Sequence, residues 1–149
     1  MMNDTTIPFV ILLAEDEPAD AHLVKSALKE NHLLVDLHWV VDGREALEFL
    51  RRQGERFIEA PRPDIILLDL NMPRMDGREC LAALKADKNL RDIPVVILTT
   101  SSVQRDVLAT YDLGAAGFIT KPVDVLQFFE VINTLGSYWL SLVKLPKRM

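Results

Sequence analysis

Cysteine is almost missing from this chain. Cys80 stands alone, which excludes a disulfide framework and a thiolate zinc site. Histidine is scarce as well, and His22, His32 and His38 lack metal-ligand spacing. An excess of positive charge is absent too. The net charge of -5 argues against broad nucleic-acid binding through phosphates, and Lys144, Lys147 and Arg148 make too short a basic tail to reverse it. The most apolar stretch, Val123 to Leu145, is interrupted by Asp124, Gln127, Glu130 and Asn133, whereas a membrane span should be cleaner. Met1 to Thr6 has neither the basic nor the apolar region of a signal peptide. Internal repeats and low-complexity segments are lacking. A soluble cytoplasmic protein is expected, folded as one domain over residues 1–149 with a core at about 9–135 and a helical extension and tail at about 136–149.

What the chain does have is alternation. Strand-like and helix-like segments succeed each other five times. Phe9 to Ala14 is a continuous apolar run, followed by a helix with Pro18 in its first turn, where proline is tolerated. Asp36 to Val41 alternates, placing Leu37, Trp39 and Val41 on one side and Asp36 and His38 on the other. Asp42 with Glu45 reads as a capping box for a helix ending near Gly54. A longer connection, Glu55 to Pro63, leads to a strand over Asp64 to Leu68. A helix from Gly77 to Lys88, a strand from Pro94 to Thr99 and a helix from Val103 to Leu113 follow. A short strand, Ala116 to Thr120, precedes the last helix from Val123 onward.

Such βα repetition predicts an α/β fold with a parallel sheet covered on both faces. Strands one, three and four are uniformly apolar, as central strands should be. Strand two alternates and strand five is short with Gly117, so both read as edges. The result is a flavodoxin-like, doubly wound (βα)5 sheet of order 2-1-3-4-5, with an extended C-terminal helix and a switch point between strands one and three.

Four groups fall at strand ends near that point: Glu15-Asp16, Asp69, Thr99-Thr100 and Lys121-Pro122. A carboxylate at the end of a buried strand costs free energy unless something compensates it. Adjacent carboxylates call for a proton or a cation, and a hard divalent ion such as magnesium suits few carboxylates plus a phosphate. Lys121 adds a mobile ammonium that can pair with Asp69 at rest, and Thr99 a hydroxyl donor. These are the parts for phosphoryl transfer to a carboxylate, with Asp69 attacking.

The motifs Ile11-Leu12-Leu13-Ala14-Glu15-Asp16-Glu17-Pro18, Asp64 to Pro73 with Asp76-Gly77, Val96-Ile97-Leu98-Thr99-Thr100 and Thr120-Lys121-Pro122 resemble the receiver domain of two-component response regulators. The resemblance implies a phosphoacceptor signalling protein that catalyses only its own phosphorylation and dephosphorylation. Asp69 would accept the phosphoryl group from a sensor histidine kinase. Asp16, Asp69 and the Asn71 main-chain carbonyl would hold Mg2+ or Mn2+, with Glu15 acting through water. Thr99 and Lys121 would bind the phosphoryl oxygens, and Phe118 occupies the aromatic switch position. Asn71 and Ser101 fall where the family tunes dephosphorylation. The Arg52-Gln53-Gly54 connection, the Leu98-Thr99-Thr100-Ser101 turn and the ending Tyr138-Trp139-Leu140 with Leu145-Pro146 resemble single-domain regulators paired with cyanobacterial phytochromes. Such a phytochrome would then be the kinase partner. Where those regulators often have Asn-Cys-Tyr, this chain has Ala116-Gly117-Phe118.

The last helix carries Phe128, Ile132, Trp139 and Leu142 on one stripe and Leu126, Val131, Leu140 and Val143 elsewhere. A helix apolar nearly all round is buried on several sides, so a homodimer through this helix is expected, with Phe128, Ile132, Trp139 and Leu142 at the interface. Competing readings are weaker. Glu15-Asp16-Glu17 would repel a flavin phosphate, and a haloacid-dehalogenase-type phosphatase needs an Asp where Asn71 stands. A degenerate receiver serving as a dimerisation module would have lost one of the polar positions.

Overall fold

The computed structural model describes residues 9–30, 35–100, 112–121, 126–127 and 130. Five strands, β1 (Phe9–Ala14), β2 (Val35–Val40), β3 (Ile65–Asp69), β4 (Val95–Thr99) and β5 (Gly117–Thr120), form one sheet. Every pairing is parallel and the order is β2-β1-β3-β4-β5. The doubly wound, flavodoxin-like reading of the sequence is thereby met. The helices between them are α1 (Pro18–Glu30), α2 (Gly43–Arg51), the short α3 (Gly54–Phe57) and α4 (Gly77–Ala86).

Alternation along buried strands splits the core in two. Leu12, Ala14, Ile66, Leu68, Val95 and Ile97 pack with Leu47 and Phe49 of α2 and Cys80, Leu81 and Leu84 of α4. Ile11, Leu13, Ile65, Leu67, Val96 and Leu98 pack with Ala21, Val24 and Leu28 of α1. Continuous apolar runs are therefore required in β1, β3 and β4, because successive side chains serve opposite layers.

Boundaries shift where tertiary contacts intervene. Asp64 precedes β3, and its side chain accepts from the Val10 amide at 2.8 Å, tying the strand's start to β1. The strand therefore runs on to include Asp69. β2 ends at Val40, and Val40 is buried on the His38 side while Trp39 stands 40% exposed. Val41, expected on the side of Leu37 and Trp39, lies just beyond the strand. Asp42 caps α2 by accepting from the Glu45 amide at 2.8 Å, but Glu45 accepts from Val41 at 3.0 Å rather than from Asp42. A reciprocal capping box forms instead at Asp76 and Glu79 on α4. α2 stops at Arg51 because Arg52 turns left-handed (φ 54°), and α4 ends at Ala86, two residues short of the expected Lys88.

The expected helix over Val103 to Leu113 and the last helix lie almost wholly outside the described residues, as do the interface candidates Phe128, Ile132, Trp139 and Leu142. Among the described residues no helix is long and apolar enough to cross a membrane.

Candidate functional site

The carboxyl ends of β1, β3, β4 and β5 bring Glu15, Asp69, Thr99 and Lys121 to one place, with Asp16 beside them. Glu15, Asp69 and Thr99 are buried. The main chain sets this up before any side chain acts. The Glu15 amide donates to Val40 at 3.0 Å, the Leu70 amide to Leu98 at 3.2 Å, and the Lys121 amide to Thr99 at 2.9 Å. Each loop is thus anchored by its neighbour strand at the point where it leaves the sheet.

Carboxylate oxygens of Glu15, Asp16 and Asp69 all lie within 4.8 Å of one another. The Lys121 ammonium sits among acids: 2.8 Å from Glu15 Oε1, 3.0 Å from Asp20 Oδ2 and 3.4 Å from Asp69 Oδ2. The expected resting pair of Lys121 with Asp69 is therefore the longest of three, and Glu15 is its nearest partner. Local amides help to aim the acids. Glu17 donates to Glu15 Oε2 at 3.2 Å, and Asn71 donates to Asp69 Oδ1 at 3.3 Å.

Burial dominates the electrostatics. It pushes the Glu15 carboxyl up to about 7, against the lowering effect of its bond to Lys121 and with a further push from the Asp69 charge. Burial likewise holds Asp69 above the ordinary aspartate range, although the Lys121 charge opposes this. Lys121 moves upward as well: burial would lower it, but its bonds to Glu15 and Asp20 and the Asp69 charge outweigh that. Among the described residues one ammonium faces Glu15, Asp69 and Asp20, too little positive charge for them. Hard oxygen donors in a tight group, short of positive charge, fit a divalent cation held by Glu15, Asp16 and Asp69.

Asp20 and Trp39 escaped the sequence reading, and Gly77 entered it only as part of the Asp76-Gly77 motif, with no role. Asp20, in the first turn of α1, reads as an ordinary acid at a helix N-terminus, and its only signal is the four-residue step from Asp16. Trp39 reads as an apolar strand residue, yet its indole Nε1 donates to the Glu15 carbonyl at 2.7 Å. Gly77 lies against the loop after Asp69. Its amide donates to the Leu70 carbonyl at 2.9 Å, and a Cβ there would overlap the Asp69 carbonyl oxygen and come within 2.8 Å of Leu70 Cα. Phe118 is half-buried on β5 and packs against the core layer containing Ile97. Ser101 lies outside the described residues.

Comparison with known proteins agrees with this geometry. Residues 11–133 match the response regulator receiver domain. The response regulator Rcp1 of Synechocystis sp. is 43% identical over 146 residues, spanning 98% of this chain and 99% of the relative. The solved structure of the phosphorylated cyanobacterial phytochrome response regulator RcpA is similar with a TM-score of 0.76 and 42% identity, covering 95% of this chain and 100% of that one. The Mn2+-bound form of Rcp1 is similar with a TM-score of 0.71 and 43% identity, covering 93% of this chain and 99% of that one. This chain belongs to the response regulator receiver domain family.

Proposed function

We propose that Asp69 accepts a phosphoryl group from a sensor histidine kinase of phytochrome type, in a reaction that requires Mg2+ or Mn2+. The observation that carries this is the convergence of Asp69, Glu15, Asp16, Thr99 and Lys121 at one end of the sheet. The likeness to a phosphorylated phytochrome response regulator supports the partner, and the likeness to an Mn2+-bound response regulator supports the ion.

Asp16, Asp69 and the Asn71 carbonyl would hold the ion, with Glu15 acting through water, and the ion supplies positive charge to the acids and to the incoming phosphoryl oxygens. An Asp69 carboxylate oxygen attacks phosphorus, the new O–P bond forms as the N–P bond to the donor histidine breaks, and the imidazole leaves. The Asn71 amide, 3.3 Å from Asp69 Oδ1, keeps the attacking carboxylate oriented. Lys121 and Thr99 take up the phosphoryl oxygens. The modification replaces the single negative charge of the Asp69 carboxylate with a phosphoryl group carrying about two at a buried position, and Phe118 repacks behind Thr99 to alter the protein's contact surface. The chain thus acts on its own aspartate rather than on a released substrate. A cytoplasmic setting fits a kinase donor, and a homodimer through the last helix would present that surface in duplicate.

Incubation with Mg2+ and acetyl phosphate, followed by intact mass measurement, tests the reading. One phosphoryl adduct is expected, lost in Asp69→Asn and lost again when the ion is chelated. A folded protein that takes no adduct under any of these conditions would overturn it. For the assembly, sedimentation at high micromolar concentration should give twice the chain mass, and a strictly monomeric mass would remove the dimer.

A further inference from the structure

Lys121 has three N–H donors on a side chain that is only 7% exposed, so where its ammonium points is decided by the acids around it. Two of its contacts are at hydrogen-bond length, Glu15 Oε1 at 2.8 Å and Asp20 Oδ2 at 3.0 Å, while Asp69 Oδ2 stands back at 3.4 Å. The ammonium therefore leans away from the acceptor. Glu15 belongs to the three-carboxylate cluster that fits a cation. Asp20 does not: it is outside that cluster, it projects from α1 rather than from a strand end, and about a third of its side chain is exposed. A helix-terminus role alone would leave this carboxylate turned toward main-chain amides or water. Instead it gives Oδ2 to the Lys121 ammonium.

We propose that Asp20 is a positioning residue that holds the Lys121 ammonium off Asp69 at rest and competes with a phosphoryl group on Asp69 for it. This rests on the phosphoacceptor reading for its consequence, though the placement of the lysine stands apart from it. A phosphoryl group must bring Lys121 over by its own stronger contact, since only differential interaction moves an equilibrium. Asp20 sets how large that difference has to be. It thereby makes the resting state more resistant to spurious switching, and its loss tips the lysine toward the acceptor in advance.

The test has two arms on the full chain. In the first, metal-free crystal structures of the wild-type protein and Asp20→Asn are compared. The Lys121 Nζ to Asp69 Oδ2 distance is expected to close from 3.4 Å to about 3 Å, an ordinary hydrogen bond. An unchanged distance would overturn the proposal. In the second, beryllofluoride, an anionic phosphoryl mimic, is titrated with Mg2+ present, read from tryptophan emission because Trp39 bonds the Glu15 carbonyl. Asp20→Asn should bind it roughly fivefold to tenfold more tightly, Asp20→Glu should return near wild type, and the gain should vanish in a Lys121→Ala background. An equal gain with and without Lys121 would mean that Asp20 acts by its charge alone, which overturns the positioning role. No gain at all overturns it too. Wild-type protein that binds no beryllofluoride would count against the phosphoacceptor reading, while the two structures would still decide where Asp20 holds the lysine.

Discussion

Single positions in this site work by excluding alternatives. Gly77 is the sharpest instance, because the space a Cβ needs is already taken by the main chain of Asp69 and Leu70. Gly77→Ala must displace either the start of α4 or the loop after Asp69. A shift on the ångström scale at a reacting carboxylate costs up to about 100-fold in rate, and overpacking costs about 1–3 kcal/mol of stability. We expect adduct formation from acetyl phosphate to slow at least tenfold on that basis, with the circular dichroism spectrum retained. An unchanged rate would show that the loop yields freely. Cys80 illustrates the opposite case of a reactive group made inert. It is fully buried, burial pushes its thiol up to about 12, and its Sγ lies 3.7 Å from the Gly43 carbonyl. Since thiolate is the reacting form, the native protein should resist maleimide at pH 8 for hours while the urea-unfolded chain reacts in minutes. Rapid native labelling would contradict this burial.

Between elements, the loop after Asp69 is fastened to α2 at two points. The Gly43 amide donates to Met75 at 3.0 Å, and Arg74 reaches the buried Asp42 carboxylate with Nε at 2.6 Å and Nη2 at 2.5 Å. Arg74 holds a left-handed backbone (φ 63°) to do so, a conformation that costs a non-glycine residue about 1–2 kcal/mol. Asp42 is 1% exposed and Arg74 56%, so the pair is worth less than a fully enclosed one. Arg74→Ala should nevertheless cost about 2 kcal/mol in urea denaturation, because it strands a buried carboxylate. Asp42→Asn should recover part of that loss in the double variant, and strict additivity would argue against the pair. This contact also marks where sequence reading stops. β1, β3 and β4 were legible because strands buried on both faces have to be apolar throughout, and their order followed from which strands could not be central. Asp69, Glu15, Thr99 and Lys121 were legible because polar residues ending such strands are unusual. Asp20, Trp39, Gly77 and the Arg74–Asp42 pair were not, since each owes its role to a partner 24 or more residues away or to a close main-chain approach that no local pattern encodes. The left-handed Arg74 is the clearest example: a glycine there would have announced a turn, and an arginine conceals it.

The molecule as a whole carries, at the carboxyl end of its sheet, a charge imbalance that a proton or a metal ion can relieve. In the unfolded chain the Glu15 carboxyl titrates at 4.5, and in the folded protein at about 7. The folded state therefore binds this proton more tightly than the unfolded one. The stability it contributes is complete below pH 4.5 and is lost as pH rises through about 7. A shift of that size corresponds to something on the order of 3 kcal/mol. Asp69 is shifted in the same direction. Lys121 does not offset the trend within this window, because its own pKa is raised and it keeps its charge throughout. Mg2+ reverses the balance by favouring the ionised acids, and ligand binding to the native state adds stability by mass action, about 2.7 kcal/mol at a concentration of 100 times Kd. Thermal melts in a pH series, with Mg2+ or with chelator, should thus diverge. Chelated wild-type protein should lose stability relative to Glu15→Gln between pH 4.5 and 7, and the gain from Mg2+ should be small at pH 5 and large at pH 8. A Mg2+ gain that does not change with pH would mean that the proton and the ion do not compete for these carboxylates, and that the cation binds elsewhere on the chain.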